Sequence, residues 1–292
     1  MPLMMALIGS SMLGLSPVFV RMCDIGTNAI GCYRLLFAMP LVYVWMRLEE
    51  RSNKKAPIKP TVREYYVLGL AGFFFCLDIA TWHLSIEMTS IINSAIFNNL
   101  TPIFVPLLIW VLYKIKPSLI YVSSATMAIL GSIVLTGSTF SLNPEQFAGD
   151  MLAISSAVAY SGYIILVKNL RAKFNAPTIL FWTSLSNFVF LAIMAYFTGE
   201  AIALTTWEDW IGVLGLAILV HIFGQGLLAY SMGQLSAPFV SVTMLISPIV
   251  SAGFGWLVFG EAVGWMQTLG CMIVLSSIVT ASVDEKRDKG KK

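Results

Sequence analysis

The feature that most constrains this chain is a run of apolar blocks separated by short charged or Gly/Pro-containing breaks. Many of the blocks approach the roughly 20 residues that a helix needs to cross a hydrocarbon core. A chain built this way must satisfy its backbone hydrogen bonds within each segment, which in lipid leaves helices as the solution. Charge supports the same conclusion. Only 11% of the 292 residues are charged, against about 25% in a soluble domain, so there is too little polar surface to cover a water-soluble particle. A net charge of +3 gives no reason to expect a nucleic-acid partner.

The breaks predict ten spans, at 3–21, 28–47, 64–84, 90–113, 117–137, 148–168, 177–198, 209–230, 236–259 and 262–282. The first lacks a basic leader and a small-residue cleavage site, so it reads as a span. Cys23, Cys32, Cys76 and Cys271 show no metal-like spacing, and neither disulfide, metal nor cofactor is expected. Orientation follows from the basic residues. With the N-terminus inside, 16 of the 18 Lys and Arg fall on the inner side, the exceptions being Arg21 and Arg34. The opposite loops carry Asp24, Glu87, Glu145, Asp150, Glu200, Glu208, Asp209 and Glu261. Both termini are therefore expected in the cytoplasm, in a bacterial inner membrane.

A shift of 146 residues aligns the chain with itself. Val67-Leu68-Gly69-Leu70-Ala71 returns as Val213-Leu214-Gly215-Leu216-Ala217. Ser85, Ser90, Pro102, Ile103 and Trp110 return as Ser231, Ser236, Pro248, Ile249 and Trp256. Two apolar stretches share a small alphabet, but proline and tryptophan are rare enough to make a chance register unattractive. Five helices per unit is an odd number, so the second copy enters the membrane inverted, and the loop charges reverse accordingly. The expected fold is all-α and integral to the membrane, with ten transmembrane helices as two inverted five-helix repeats at 1–140 and 147–284, and a basic tail at 285–292. Inverted repeats of this kind characterise secondary transporters.

The residues also resemble a known family, the EamA type of the drug/metabolite transporter superfamily. In the first half the resemblance rests on Asp78, Trp82, His83 and Ser85, then Thr89-Ser90 and Asn99-Leu100-Thr101-Pro102. In the second half it rests on Gly224-Gln225-Gly226-Leu227, Ala229-Tyr230, Ser247-Pro248 and Phe259-Gly260-Glu261. Arg34 falls where the family often has an arginine. Lys114-Ile115-Lys116 departs from the Gly-Glu with which the family commonly ends its fourth helix. The resemblance implies a transporter of small organic metabolites and leaves the substrate open.

Within the spans, the polar residues are the candidates for function. Asp78 is a carboxylate deep in a span, where insertion costs at least about 2.5–3.5 kcal/mol. It must face a cavity, be paired or carry a proton, and proton coupling and a structural partnership weigh about equally. Thr81, Trp82 and Ser85 share its face. Asn98 and Asn99 form a pair too costly for lipid contact. His221 and Gln225 lie one turn apart near the midplane, beside Gly224 and Gly226. Thr243, Ser247 and Ser251 form a stripe in the ninth span, and Ser156, Tyr160 and Tyr163 form another in the sixth. Trp82, Asn98, Asn99, Tyr160, His221, Gln225, Thr243 and Ser247 are the expected substrate contacts. Serine and threonine are often only packing contacts between membrane helices, so the expectation rests on their convergence. Arg34, Pro102, Pro248 and Glu261 are expected to be structural, with Pro17, Pro102 and Pro248 kinking otherwise continuous helices.

These features predict a secondary transporter of a small amino-acid-like, amine or nucleoside-like metabolite, as a monomer or homodimer in the bilayer. A passive channel or facilitator is the alternative. A membrane enzyme fits less well: HExxH is absent, a second intramembrane aspartate is lacking, and no Walker A lysine motif appears.

Overall fold

The computed structural model describes residues 1–52, 59–89, 91–136, 146–259 and 264–289. Every regular element among them is helical. Among the described residues, nine helices are long and apolar enough to cross a membrane, and a tenth, Leu119–Val134, is apolar but shorter. Large apolar side chains such as Leu112, Phe197, Leu257 and Val279 are exposed. In a soluble protein such a surface would aggregate; here it suits contact with lipid. Glu261, expected to be structural, lies outside the described residues.

In chain order, α1 comprises Pro2–Leu13 and Ser16–Arg21, α2 is Thr27–Ser52 and α3 is Val62–Met88. Helix α4 comprises Ile91–Asn98 and Thr101–Tyr113, followed by α5 (Leu119–Thr136), α6 (Phe147–Leu170) and α7 (Ala176–Thr198). Helix α8 runs through Trp207–Gly215, a π-helical stretch Leu216–Gln225 and Gly226–Ser231. Helix α9 comprises Ala237–Thr243 and Ile246–Phe259, and α10 is Trp265–Lys289.

Pro17, Pro102 and Pro248 do more than kink their helices, which corrects the sequence expectation, whereas Pro40 and Pro106 sit inside helices that continue through them. At each of the first three the helix stops and restarts, and the proline stands in the first turn of the new segment. Proline has no N–H and its ring clashes with the carbonyl four residues back. At Pro102 that carbonyl belongs to Asn98, and it accepts the Thr101 hydroxyl at 3.2 Å instead. At Pro248 the carbonyl of Met244 accepts the Ser247 N–H at 2.9 Å. At Pro102 and Pro248 the preceding residue thus supplies the hydrogen bond that the proline removes. The bounds Ile91–Asn98 and Thr101–Tyr113 of α4 recur, within one residue of the 146-residue shift, as Ala237–Thr243 and Ile246–Phe259 of α9.

Polar side chains fix several of the other helix ends. Thr206 and Asp209 form a reciprocal capping box at the start of α8, and Asn175 caps α7 by accepting from Thr178 N–H at 3.1 Å. The N-terminus of α2 is capped from a distance: Glu200 Oε2 accepts from Asn28 and Ala29 N–H at 2.9 and 3.1 Å. A carboxylate at this end also meets the favourable pole of the helix dipole. Helix α4 ends on Lys114 in the left-handed conformation, φ 60°, a position that ordinarily favours glycine.

The chain forms two compact units, Met1–Cys76 with Leu166–Gln234, and Leu77–Ile165 with Leu235–Lys292. In the first, α2 packs along α7, and α1 packs on α8. A Cβ on Gly9 would lie 2.9 Å from the carbonyl oxygen of Gly224, so α1 and α8 approach at backbone distance, as small residues permit. Arg171 donates through Nε to the Ala229 carbonyl at 2.8 Å, and Lys168 Nζ donates to Met232 O at 2.8 Å. Two of the basic residues that set the predicted orientation therefore also satisfy the last carbonyls of α8. In the second unit α5 packs along α10, and the first segment of α9 packs on α4. Glu285 accepts from the backbone N–H of Ser236 at 3.0 Å and from its hydroxyl at the start of α9.

Candidate functional site

Three polar side chains from three helices meet in the second unit. Asp78 of α3 accepts a hydrogen bond on Oδ1 from Ser156 Oγ of α6 at 2.5 Å. Asn98, the last residue of the first α4 segment, donates its amide to Ser156 Oγ at 2.5 Å and lies 3.4 Å from Asp78 Oδ1. Asp78 is only partly buried, so the carboxyl is held by its neighbours without being sealed off. The α4 break explains why Asn98 can take part. Its carbonyl is satisfied by Thr101, its side chain is the last before the turn, and Asn99 occupies the turn itself.

Around this triad the same unit holds further polar contacts. Ser85 and Ser94 share a hydrogen bond at 2.5 Å, one to two turns from Asp78 and Asn98. Thr89 donates to Asp150 at 2.6 Å, and both are buried. Tyr160 lies one turn beyond Ser156, nearly buried, its ring 5.5 Å from that of Tyr163. Trp82 lies one turn beyond Asp78, half-buried, with its ring 5.3 Å from that of His83. Thr243 and Ser247 flank the α9 break. Thr243 is fully buried and returns its hydroxyl to Val240 O at 2.7 Å, while Ser247 is half-buried.

His221 and Gln225 fall in the first unit, in the π-helical stretch of α8, and both are buried. π-Helical turns are rare and often accompany function. Ser184 Oγ of α7 lies 2.7 Å from His221 Nε2, and the Phe75 ring stacks on the imidazole, 6.4 Å between centroids and 11° from parallel. The Arg34 guanidinium sits 5.9 Å above the Phe75 ring.

The expected contacts thus divide. His221 and Gln225 belong to the first unit, while Trp82, Asn98, Asn99, Tyr160, Thr243 and Ser247 belong to the second with Asp78. Of these, Asp78 and Asn98 come together directly. Reading the sequence placed Ser156 on the right face without assigning it to Asp78, and it missed Ser184 and Asn187. Both lie within the apolar 177–198 span, and the reasoning that singled out Asn98 applies equally to the Asn187 amide. Among the described residues, no group of three His, Cys, Asp or Glu could hold a metal ion, and the four cysteines are free.

Comparison with known proteins adds identity. The EamA-like transporter family model matches twice, over residues 1–137 and 147–283. An uncharacterized transporter of Archaeoglobus fulgidus is 23% identical over 255 residues, covering 85% of each chain. A pseudopaline exporter of Pseudomonas aeruginosa is 23% identical over 159 residues, covering 53% of this chain and 55% of that one. One solved crystal structure superposes with a TM-score of 0.79 at 15% identity, covering 97% of this chain and 96% of that one, which shows the shared fold. With both halves matched, the chain belongs to the EamA-like transporter family of the drug/metabolite transporter superfamily and is a multi-pass membrane transporter.

Proposed function

We propose that this protein is a secondary carrier that moves a small organic metabolite across the bacterial inner membrane by alternating access, with both termini in the cytoplasm. The observation that carries the reading is the Asp78–Ser156–Asn98 triad. A carboxyl deep in a membrane span, joined to α4 and α6 by hydrogen bonds, is expensive in lipid and by default marks a functional site. In this reading Asp78 exchanges the coupling proton. Trp82, Asn98, Asn99, Tyr160, His221, Gln225, Thr243 and Ser247 are the side chains that meet the substrate. The recurrence of the α4 break in α9 and the twofold family match support two five-helix repeats, inverted as their odd helix number requires. Likeness over about half the chain to a pseudopaline exporter supports a small organic solute and favours efflux.

The test begins with purified protein screened against metabolite pools for thermal stabilisation, since a ligand of the native state raises apparent stability by mass action. Hits then enter proteoliposomes. A carrier gives flux that saturates with substrate and accelerates when unlabelled substrate waits on the far side. Flux that is linear in concentration and indifferent to trans substrate would make the protein a passive facilitator.

A further inference from the structure

The first unit contains polar atoms whose hydrogen bonds remain unmade. Asn187 of α7 is fully buried, and neither its amide nitrogen nor its amide oxygen has a partner among the described residues. His221 is buried to 1% exposure, and its Nδ1 likewise has none. An imidazole and a whole side-chain amide in this state call for an explanation, because such buried groups are nearly always satisfied.

The hydrogen-bond pattern fixes what His221 is missing. Ser184 Oγ lies 2.5 Å from the Leu180 carbonyl oxygen and 2.7 Å from His221 Nε2. A hydroxyl has one proton. At 2.5 Å from a carbonyl oxygen, that proton must lie between the two oxygens. Ser184 therefore accepts from His221, and Nε2 carries the hydrogen. In the neutral ring Nδ1 is then a bare lone pair, an acceptor awaiting a donor.

The register of α7 places Asn187 one turn from Ser184, on the face that meets His221. Ser184, Asn187 and Leu191 form one stripe at spacings of three and four. The inner end of the stripe meets His221 through Ser184. The outer end meets α2, where a Cβ on Gly31 would lie 2.8 Å from Leu191 Cδ1. Asn187 lies between these contacts, facing the interior shared by α2, α7 and the π-helical stretch of α8. The Phe75 ring closes the other side of the imidazole. The surroundings thus offer one lone pair at Nδ1, two amide hydrogens and one amide oxygen, with an aromatic wall.

We propose that this interior is a binding site for a small uncharged hydroxyl group, which donates to His221 Nδ1 and exchanges hydrogen bonds with the Asn187 amide. Only a group that both donates and accepts matches the two residues together. Water and an organic hydroxyl share that chemistry and are the two possible sources. A buried water is stable with two to four such partners. The site is independent of the Asp78 triad and stands whether or not that triad couples transport.

The experiment uses the full chain in lipid nanodiscs, labelled with 15N-histidine and carrying His83→Gln, so that His221 gives the only imidazole signals. The expected spectrum is an Nε2–H tautomer whose Nδ1 resonance reports hydrogen-bond acceptance. Magnetisation transfer from water in plain buffer identifies a resident water. Transfer that appears only after glycerol is added identifies an organic hydroxyl. A second measurement is the sign of the stability change in Asn187→Leu. Removing an unsatisfied buried amide raises Tm or leaves it unchanged, whereas removing a ligand of the guest lowers it. We expect a fall of several degrees, together with a displaced Nδ1 resonance. If Asn187→Leu does not fold, Asn187→Ser keeps a polar atom but shortens its reach and should displace the same resonance. An Nδ1 resonance of a bare lone pair, with Asn187→Leu at least as stable as the parent, overturns the proposal.

Discussion

Replacing Ser156 with alanine tests the polar triad at its hub. The Ser156 hydroxyl donates to Asp78 Oδ1 and accepts from the Asn98 amide, both at 2.5 Å. Its removal deprives the carboxyl of its 2.5 Å donor and strands an amide hydrogen of Asn98. A hydrogen bond of this type contributes about 1 kcal/mol when neutral and about 1.5–3 kcal/mol when one partner is charged. Measured side-chain bonds between membrane helices average about 0.6 kcal/mol, because the unfolded segments find other partners. The loss of two bonds should therefore cost about 1–3 kcal/mol, and at roughly 2–4 °C per kcal/mol the purified variant should melt several degrees lower. Asn98→Ala removes only one of the strong bonds and should cost less. The double variant should cost less than the two singles combined, because they share a partner. A Ser156→Ala protein with unchanged Tm, additive with Asn98→Ala, would show that these side chains do not act together and would refute the reasoning.

Lys114→Gly should raise Tm by a few degrees. Lys114 holds φ 60°, a conformation that costs an L-residue about 1–2 kcal/mol and glycine almost nothing, and an unchanged or lower Tm contradicts this. Cys23 should alkylate slowly, because burial and then the nearby Asp209 push its thiol up to about 11. Relative to an unperturbed thiol at 9.0, roughly 100-fold less thiolate is present at neutral pH. Its maleimide rate should climb steadily through pH 10, and a plateau near pH 9 would disprove the shift. Gly9→Ala should weaken the α1–α8 contact by about 1–3 kcal/mol, since the new methyl meets the Gly224 carbonyl oxygen at 2.9 Å. A Tm within a degree of the parent would show that the helices are free to part.

Helix number and position were legible in the sequence because lipid imposes a single length scale on apolar runs. Asp78 and Asn98 were legible for the complementary reason that a polar group in hydrocarbon must have a purpose. What the sequence concealed depends on backbone geometry and on partners distant along the chain. Pro17, Pro102 and Pro248 read as kinks in continuous helices, yet the structure breaks the helix at each. The outcome depended on whether neighbours such as Thr101 could satisfy the freed carbonyls. The π-helical stretch around His221 leaves no mark that separates it from any apolar helix. Ser156 and Ser184 resembled packing serines until Asp78 and His221 were found opposite them. Asn187 followed the same rule as Asn98 and was overlooked within a strongly apolar span.

Proton-driven accumulation by Asp78→Asn protein in proteoliposomes tests the account most directly, with the substrate taken from the stabilisation screen. Asparagine preserves the shape of the side chain and can still accept from Ser156, but it cannot exchange a proton. The account predicts that the parent protein accumulates substrate against its gradient when a pH gradient is imposed. The variant should lose this accumulation while retaining its fold and its exchange of labelled for unlabelled substrate. Gradient-driven accumulation by a stable Asp78→Asn protein, equal to that of the parent, would contradict it.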